Sequence, residues 1–343
     1  MLSSITEDST STMKAIVIQK FGSPQDAYII KDIPKLTPLP GQALIQIKAF
    51  GLNHAELHMR KGEWAEAAPV SGIECVGYID SCPGDEFRPG TKVAAFMGGM
   101  GRTINGSYAE YTCVPVANVV DIDGTNLTWE VLAAIPETYA TAWTCLFRNL
   151  DIKAGQTLVI RGATSALGQA ALNLAVNAGV SVIATTRSKG RFAHLQAMGA
   201  KSVELESLDL SSRLNPSNSK DGTPIDCVLN LIGNSVLLDS LSLLRRNGRM
   251  CLAGFLGGLA PIPSFDPLSQ MPSGVHFSFF GSFQFGKQGF PVSDVPMREI
   301  VKMAEEGKFE VKPKMVFQGL ESIVEAHLCM EGNEAGGKAV VVV

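Results

Sequence analysis

Short runs in which apolar and polar residues alternate fill the first third of the chain. Leu44–Phe50 alternates as a half-buried strand does, and similar runs occur at Val76–Asp80, Lys92–Phe96 and Tyr108–Pro115, with glycine-rich turns between them. Many short strands in succession are typical of small barrels and sandwiches. The pattern therefore predicts an all-β, barrel-like domain of roughly 120 residues in this part of the chain.

The pattern changes near Thr128, which is a good N-cap residue for a helix. Pro136 is expected to interrupt or end that helix, and a second helix is predicted over Thr141–Leu150. From there strand and helix patterns alternate, which favours a doubly wound parallel sheet and the α/β fold class. The strands predicted for this sheet are Thr157–Arg161, Ser181–Thr186, Ser202–Leu205, Cys227–Ile232 and Arg249–Phe255.

The first strand of this sheet leads into a turn of small residues and then into a helix that Gly179 is expected to end. A helix N-terminus offers unpaired N–H groups and a partial positive charge, which suit a pyrophosphate. The unit is typical of dinucleotide binding, with an ordinary βα turn as the alternative. Ser165 replaces the glycine expected in the middle of the turn, and its hydroxyl could itself donate. The turn residues expected to hold the cofactor are Gly162, Thr164, Ser165, Ala166, Leu167 and Gly168.

Cationic and hydroxyl side chains follow the second strand of this unit. A site for NAD usually has Asp or Glu about 20 residues beyond the glycine turn, where the carboxylate binds the ribose 2′-hydroxyl. This chain instead has Thr186, Arg187, Ser188 and Lys189, followed by Arg191, and no carboxylate among them. Cations suit a 2′-phosphate. The predicted cofactor is therefore NADPH, with a solvated basic turn as the alternative.

Composition excludes several classes of function. The 343 residues carry a net charge of −4, which gives no electrostatic case for nucleic acid or an anionic membrane, and no apolar run is long enough to span a bilayer. Seven cysteines are scattered singly without a CxxC pair, which favours reduced thiols and a cytoplasmic location. Residues 1–12 are rich in Ser and Thr and fit neither a signal nor a transit peptide, so a disordered tail is predicted.

Strand patterns return near the end of the sequence. Lys338–Val343 is an apolar strand that we expect to join the β domain. The predicted organisation is a tail at 1–12, a β domain at 13–134 and 311–343, and a cofactor domain at 135–310 inserted between the two parts of the β domain.

Several short motifs together resemble the medium-chain dehydrogenase/reductase family, and they occur in the family's order between Met13 and Val343. The resemblance implies a GroES-like β domain and a Rossmann domain, with the active site in the cleft between them. It also implies a two-fold homodimer joined through the strand near Val275–Phe280. The motifs are Gly51–Gly62 (GLNHAELHMRKG), Gly72–Gly77 (GIECVG), Gly106–Tyr111 (GSYAEY), Thr141–Trp143 (TAW), Gly162–Gly168 and Gly337-Lys338.

The zinc ligands of the family are missing from this chain. Zinc-dependent members have Cys-His where this chain has Asn53-His54, Gly-His-Glu where it has Gly72-Ile73-Glu74, and a further cysteine near Glu137. Tetrahedral zinc is bound by thiolates, imidazoles and carboxylates in sets of three or four, so no metal is expected. The chain instead resembles the zinc-free NADPH:quinone reductases and the related reductases of activated C=C bonds.

The resemblance also indicates which side chains serve the reaction. Asn53 is expected to face the nicotinamide and substrate, His58 to donate a hydrogen bond or a proton, and Thr141 to lie near the nicotinamide. A turn-capping Asn53 and a surface His58 are the alternatives. Glu56 and Arg60 are expected to form a local ion pair. Further cofactor contacts are expected from Gly233, Gly254, Phe255 and Leu256, which follow strand ends, and from Lys338.

These observations predict an NADPH-dependent oxidoreductase that transfers hydride to quinones or α,β-unsaturated carbonyl compounds without zinc. Such acceptors are already electron-poor, and solvent can protonate the conjugated oxyanion or enolate that results. One alternative is an enoyl or alkene reductase dedicated to a biosynthetic pathway. Another is a protein that binds NADPH without redox turnover.

Overall fold

The computed structural model describes residues 11–214, 224–332 and 336–343. Its strands are β1 (Thr12–Ile18), β2 (Tyr28–Pro34), β3 (Gln42–Gly51), β4 (Glu74–Ser81), β5 (Lys92–Phe96), β6 (Tyr111–Pro115), β7 (Val119–Asp121), β8 (Thr157–Arg161), β9 (Ser181–Thr186), β10 (Ser202–Leu205), β11 (Cys227–Asn230), β12 (Arg249–Leu252), β13 (His276–Phe279), β14 (Met315–Gln318) and β15 (Ala339–Val342). Its α-helices are α1 (Pro24–Ala27), α2 (His54–Lys61), α3 (Trp129–Ala133), α4 (Pro136–Thr144), α5 (Ala166–Asn177), α6 (Phe192–Ala197), α7 (Leu210–Leu214), α8 (Leu237–Ser242), α9 (Pro267–Gln270), α10 (Met297–Glu305) and α11 (Ile323–Glu331).

The chain divides into two compact units. The β unit consists of the segment that ends at Glu137 together with Phe283–Glu305 and Val311–Val343. The parallel-sheet unit consists of Thr138–Ser282 and Glu306–Glu310. Residues 1–10 of the predicted tail lie outside the described residues, and β1 begins at Thr12, the last residue assigned to that tail. The domain boundaries drawn from the sequence stay a prediction.

The β unit is built around β3, the longest strand. Its main sheet has the order β14-β15-β3-β4-β5-β7, with β6 also paired to β3, while β1 and β2 form a separate antiparallel pair. Alternation along β3 buries Ile45 and Ile47 in the apolar core of the unit, as the sequence pattern requires. β15 pairs antiparallel with β3 and parallel with β14. The expectation that the apolar strand near Lys338 joins the β domain is therefore confirmed.

The parallel-sheet unit has the strand order β10-β9-β8-β11-β12-β13, and every pair in it is parallel. β8, the first of these strands in the chain, lies in the middle, so the sheet is doubly wound and its order reverses between β8 and β11. Ligands of such sheets bind beyond the carboxyl ends of the strands at this reversal. The α/β fold class, with a β domain and a doubly wound parallel sheet, is confirmed.

Pro136 starts a helix and does not end one. α3 ends at Ala133, and α4 begins at Pro136 and continues into a π-helical turn at Cys145–Asn149. Proline is well suited to the first position of a helix because that position needs no N–H acceptor and the ring presets φ. The prediction that the second helix begins at Thr141 is therefore wrong.

Among the residues that the structure describes, no helix is both long enough and apolar enough to cross a membrane.

Candidate functional site

The turn between β8 and α5 is shaped by two glycines. Gly162 has a φ of +85°, which side-chain-bearing residues rarely adopt, and its N–H donates to Thr185 Oγ1 over 3.1 Å. A Cβ at Gly168 would lie 2.5 Å from the Gly162 carbonyl oxygen, so only glycine allows the helix to pack this closely on the turn. These are the requirements of a backbone cradle for a pyrophosphate.

The Ser165 side chain forms hydrogen bonds within the turn. Its hydroxyl donates to the Gly162 carbonyl over 2.9 Å and accepts from the Gly168 N–H over 3.0 Å, so it caps α5. The hydroxyl is therefore already engaged, and a ligand is left with backbone donors. The N–H groups of Ala166 and Leu167 stand first in the helix and have no acceptor among the described residues. A nicotinamide dinucleotide fits this cradle.

Residues that follow two further strands, β11 and β12, lie beside the turn. A Cβ at Gly162 would lie 3.1 Å from Leu256 Cδ1, and a Cβ at Gly233 would lie 3.2 Å from the Phe255 ring. A Cβ at Gly254 would lie 2.8 Å from the Leu231 carbonyl oxygen. The structure thus brings the residues predicted after β11 and β12 next to the glycine turn. Thr141 lies in α4 and is buried.

The segment after β9 presents cations to solvent. Thr186 is buried and its Oγ1 accepts from the Ser188 N–H, whereas Arg187, Ser188, Lys189 and Arg191 are exposed. Within the described ranges, neither Arg187 nor Lys189 has an ion-pair partner. Two unpaired cations therefore stand at the carboxyl end of β9.

A second set of candidate residues, the Lys338 network (Asn53, Glu56, Glu74 and Lys338), lies in the β unit. Lys338 Nζ donates to Glu74 Oε1 over 2.5 Å and to Asn53 Oδ1 over 2.6 Å. Asn53 Nδ2 donates to the same Glu74 oxygen over 2.9 Å, and Glu74 Oε2 accepts from the Glu137 N–H. Glu74 is fully buried and Lys338 is 7% exposed. The amide of Asn53 is thus held with its nitrogen toward carboxylates and its oxygen toward an ammonium.

Glu56 is the other buried carboxyl of this network. It accepts from the N–H groups of Asn53 and Ile73, which fixes the start of α2 to the chain before β4. Burial raises the pKa of Glu56 to about 8, because water no longer solvates the charged form. Arg60 pairs with Glu331 at the end of α11. The expected ion pair between Glu56 and Arg60 is therefore wrong: residues at i and i+4 face each other on a helix, but tertiary partners competed for both side chains.

His58 lies on α2 and is engaged with its own loop. Its Nδ1 lies 2.5 Å from Glu63 Oε2, and its ring stacks on Trp64 at 5.3 Å between centroids. His58 is partly exposed. The structure therefore ties one ring nitrogen of His58 to a carboxylate and leaves the other for a ligand or solvent.

A zinc ion does not fit the Lys338 network. The side chains that stand in the place of the family's ligands are an amide, an isoleucine and a carboxylate already bonded to an ammonium. That ammonium would repel a divalent cation, and zinc prefers thiolates and imidazoles. In the described part of the chain, no three His, Cys, Asp or Glu side chains are placed to hold a metal together.

Reasoning from the sequence missed most of these charged partners. Glu74 opens β4 directly before an apolar run, and Arg161 closes β8 (TLVIR). A charged residue within an apolar run was the available signal, because such a side chain needs a buried partner. The sequence does not reveal which partner, since Lys338 and Glu74 are far apart in the chain.

Comparison with known families assigns both units. The model of the alcohol dehydrogenase GroES-like domain matches residues 39–124, and that of the zinc-binding dehydrogenase family matches residues 166–291.

Individual proteins match over nearly the whole length. The quinone oxidoreductase of Pongo abelii is 26% identical over 337 residues, which cover 96% of this chain and 97% of that protein. A mycobacterial protein (Rv1454c) solved in complex with NADPH has a TM-score of 0.82 at 24% identity, covering 96% of this chain and all of the other. The CurK enoyl reductase has a TM-score of 0.79 at 22% identity, covering 97% and 99%. Both family models, the long match to a quinone oxidoreductase and the two-unit fold lead to one assignment: the chain belongs to the medium-chain dehydrogenase/reductase family of oxidoreductases.

Proposed function

We propose that the protein is an NADPH-dependent reductase that transfers hydride to quinones or α,β-unsaturated carbonyl compounds without zinc. The observation that carries the proposal is the combination of a backbone phosphate cradle after β8 with two unpaired cations after β9. The long match to a quinone oxidoreductase supports the substrate class.

The cofactor assignment rests on charge. Arg187 and Lys189 are exposed, and the hydroxyl of Ser188 stands between them. Guanidinium and ammonium groups form strong charge-assisted bonds with a phosphate and gain little from a plain ribose hydroxyl. The mycobacterial protein of the same fold was solved with NADPH. The residues proposed to hold NADPH are Gly162, Thr164, Ser165, Ala166, Leu167, Gly168, Thr186, Arg187, Ser188, Lys189, Arg191, Gly233, Gly254, Phe255, Leu256 and Lys338.

The substrate class rests on the chemistry of the Lys338 network. Without zinc to polarise a ketone, the acceptor must already be electron-poor, as quinones and enones are. Bound NADPH supplies the hydride. Asn53 is proposed to orient the reactants through Oδ1, which Lys338 holds in place, since both N–H groups of the amide point toward Glu74 and Glu56. His58 is proposed to donate a hydrogen bond from its second ring nitrogen, and Thr141 to contact the nicotinamide.

The first experiment is NADPH oxidation by the purified protein, with NADH in parallel, against a quinone, several enals and enones, and an enoyl thioester. Products are identified by mass. Turnover of the quinone and of several enones with NADPH is the expected result. Binding of NADPH without turnover of any acceptor would overturn the proposal in favour of a protein that does no redox chemistry.

A dedicated enoyl reductase is the second candidate, and the likeness to the CurK enoyl reductase favours it. Turnover of the enoyl thioester alone, with the quinone inert, would replace the first proposal by this one.

The cofactor assignment has a separate test. Arg187→Ala combined with Lys189→Ala should lower the preference for NADPH over NADH by roughly tenfold or more, because a charge-assisted phosphate contact is lost. Lys201→Ala, which removes an exposed cation before β10, is the matched control. An unchanged preference in the double variant would show that these cations do not select the cofactor.

We also propose a cytoplasmic homodimer. Among the described strands, β13 pairs with β12 alone and forms the edge of the parallel sheet, and its Phe277 and Phe279 are 41% and 51% exposed. An open edge with apolar side chains favours pairing with a second copy. Phe277→Lys with Phe279→Lys should yield monomers by sedimentation.

Every cysteine in the described residues is free, which suits a reducing compartment.

A further inference from the structure

A fully buried arginine lies at the carboxyl edge of the parallel sheet. Arg161 is the last residue of β8 and has no exposed side-chain surface. Its guanidinium pairs with two carboxylates, Glu206 after β10 and Asp239 on α8. We call these residues, together with Thr185 and Ser240, the Arg161 cluster.

Every donor of the Arg161 guanidinium is used. Nε donates to Glu206, Nη1 to Asp239 and Ser240, and Nη2 to Glu206 and the Ser207 carbonyl. Burying such ions costs several kcal/mol of desolvation, and a well-packed apolar residue is often as stabilising. The cluster is therefore poorly explained by stability alone.

Glu206 stands next to the segment that we assign to the 2′-phosphate. Its N–H donates to the Thr186 carbonyl over 2.9 Å, one residue before Arg187. A carboxylate near this strand end is what an NAD site uses to bind the ribose 2′-hydroxyl, and it repels a 2′-phosphate. Glu206 is thus a potential NAD-type acceptor within a chain whose exposed residues favour NADPH.

Both oxygens of Glu206 are nevertheless occupied. Oε1 accepts from Arg161 and from the Ser207 N–H, and Oε2 accepts from the Thr185 hydroxyl over 2.5 Å. The side chain is only 8% exposed. Arg161 therefore supplies the counter-charge and most of the bonds that keep this carboxylate turned into the protein.

We infer that Arg161 is a positioning residue that sets cofactor preference by holding and neutralising Glu206. Without it, the carboxylate would be free to accept from a ribose 2′-hydroxyl and to repel a 2′-phosphate. The inference rests on the proposed function only in taking Thr186–Lys189 as the segment that contacts the ribose. The pairing was not visible in the sequence, because Arg161 ends β8 whereas Glu206 follows β10, far along the chain.

The test compares dissociation constants for NADPH and NADH in the full-length protein. Arg161→Met should reduce the ratio of NADPH to NADH affinity by roughly tenfold, the effect of one unpaired charge worth about 1.4 kcal/mol. Combining it with Glu206→Gln should restore most of the ratio, because the carboxylate is then gone. The inference would be overturned if Arg161→Met weakened the binding of NADPH and NADH equally. It would also be overturned if the double variant were no more selective for NADPH than Arg161→Met.

Two further variants keep the test decisive. Arg245→Met removes an arginine–carboxylate pair with Asp226 at the amino edge of the same sheet, and it should leave the ratio unchanged. If Arg161→Met does not fold, Arg161→Lys is measured; a lysine cannot hold both carboxylates, so the ratio should fall by less, and an unchanged ratio would overturn the inference. A wild-type protein that binds neither dinucleotide would refute the proposed function, which is a different outcome.

Discussion

The β unit and the parallel-sheet unit each bury two carboxyl groups beside one cation. In the β unit these are Glu56 and Glu74 beside Lys338, and in the parallel-sheet unit they are Glu206 and Asp239 beside Arg161. The Arg161 guanidinium uses every donor within the protein. Lys338 uses two of its three N–H groups on described residues, and it holds an amide, Asn53, that is only partly buried. The fully paired Arg161 cluster therefore fits a supporting role, and the incompletely paired Lys338 network is where we propose that a ligand binds.

Lys338→Met should cause the largest loss of stability among the variants that test this comparison. It leaves the buried Glu74 carboxyl without its counter-charge, and we expect a loss of about 3–5 kcal/mol of unfolding free energy in urea titrations. Lys338→Met combined with Glu74→Gln should recover much of that stability but not the turnover. If Lys338→Met alone were as stable as the wild type, the charge of Lys338 would not be what stabilises the network.

Asn53→Ala should come next, with its main effect on turnover. Loss of the amide removes the group proposed to orient the reactants, so kcat/KM should fall by roughly tenfold or more. Unfolding free energy should fall by only about 1–2 kcal/mol, because the amide also bonds to Lys338 and Glu74 at the start of α2. Ser188→Ala, in the other unit, should mainly change the dissociation constant of NADPH. Wild-type kinetics in Asn53→Ala would leave Asn53 with a structural role only.

A buried imidazole, that of His327, adds an uncharged group to this comparison. His327 is fully buried with its Nε2 near the hydroxyls of Tyr28 and Tyr108, and burial lowers its pKa from 6.5 to about 3. Between these values the unfolded chain binds a proton that the folded protein does not, so stability should fall as the pH falls from about 6.5 toward 3.

Urea titrations of wild type and His327→Gln between pH 7 and pH 4 measure this effect. Their difference should shrink as the pH falls, because only the wild type carries the titrating imidazole. The opposite slope is expected from Glu56, whose raised pKa makes the folded form lose stability as the pH rises from 4.5 toward about 8. A difference that does not change with pH would show that His327 is solvated or charged in the folded state.

Arg245→Met should cause the smallest loss of unfolding free energy. Arg245 is 42% exposed, and its pair with Asp226 is therefore screened by water. We expect a change of less than about 1 kcal/mol in unfolding free energy. A much larger loss would mean that exposure is a poor guide to which ion pairs matter in this sheet.

The order of strands and helices was largely predictable from the sequence. β5, β8, β9 and β10 have the predicted bounds, because apolar runs ended by glycine or polar residues determine where strands stop. The glycine turn was predictable for the same reason. The partners of Arg161 and Lys338 were not, since they come from distant positions and no periodicity links them. Pro136 was misread because proline both ends and begins helices.

The position of β15 in the sheet has a consequence for synthesis. β15 lies between β14 and β3, yet it follows the whole parallel-sheet unit in chain order, and Lys338 immediately precedes it. Glu56 and Glu74 therefore leave the ribosome long before their cation, at an elongation rate of about 5–20 residues per second. The parallel-sheet unit can therefore fold before β15 completes the sheet of the β unit and before Lys338 can pair with Glu74. Nascent chains halted before β15 should expose an incomplete sheet to chaperones.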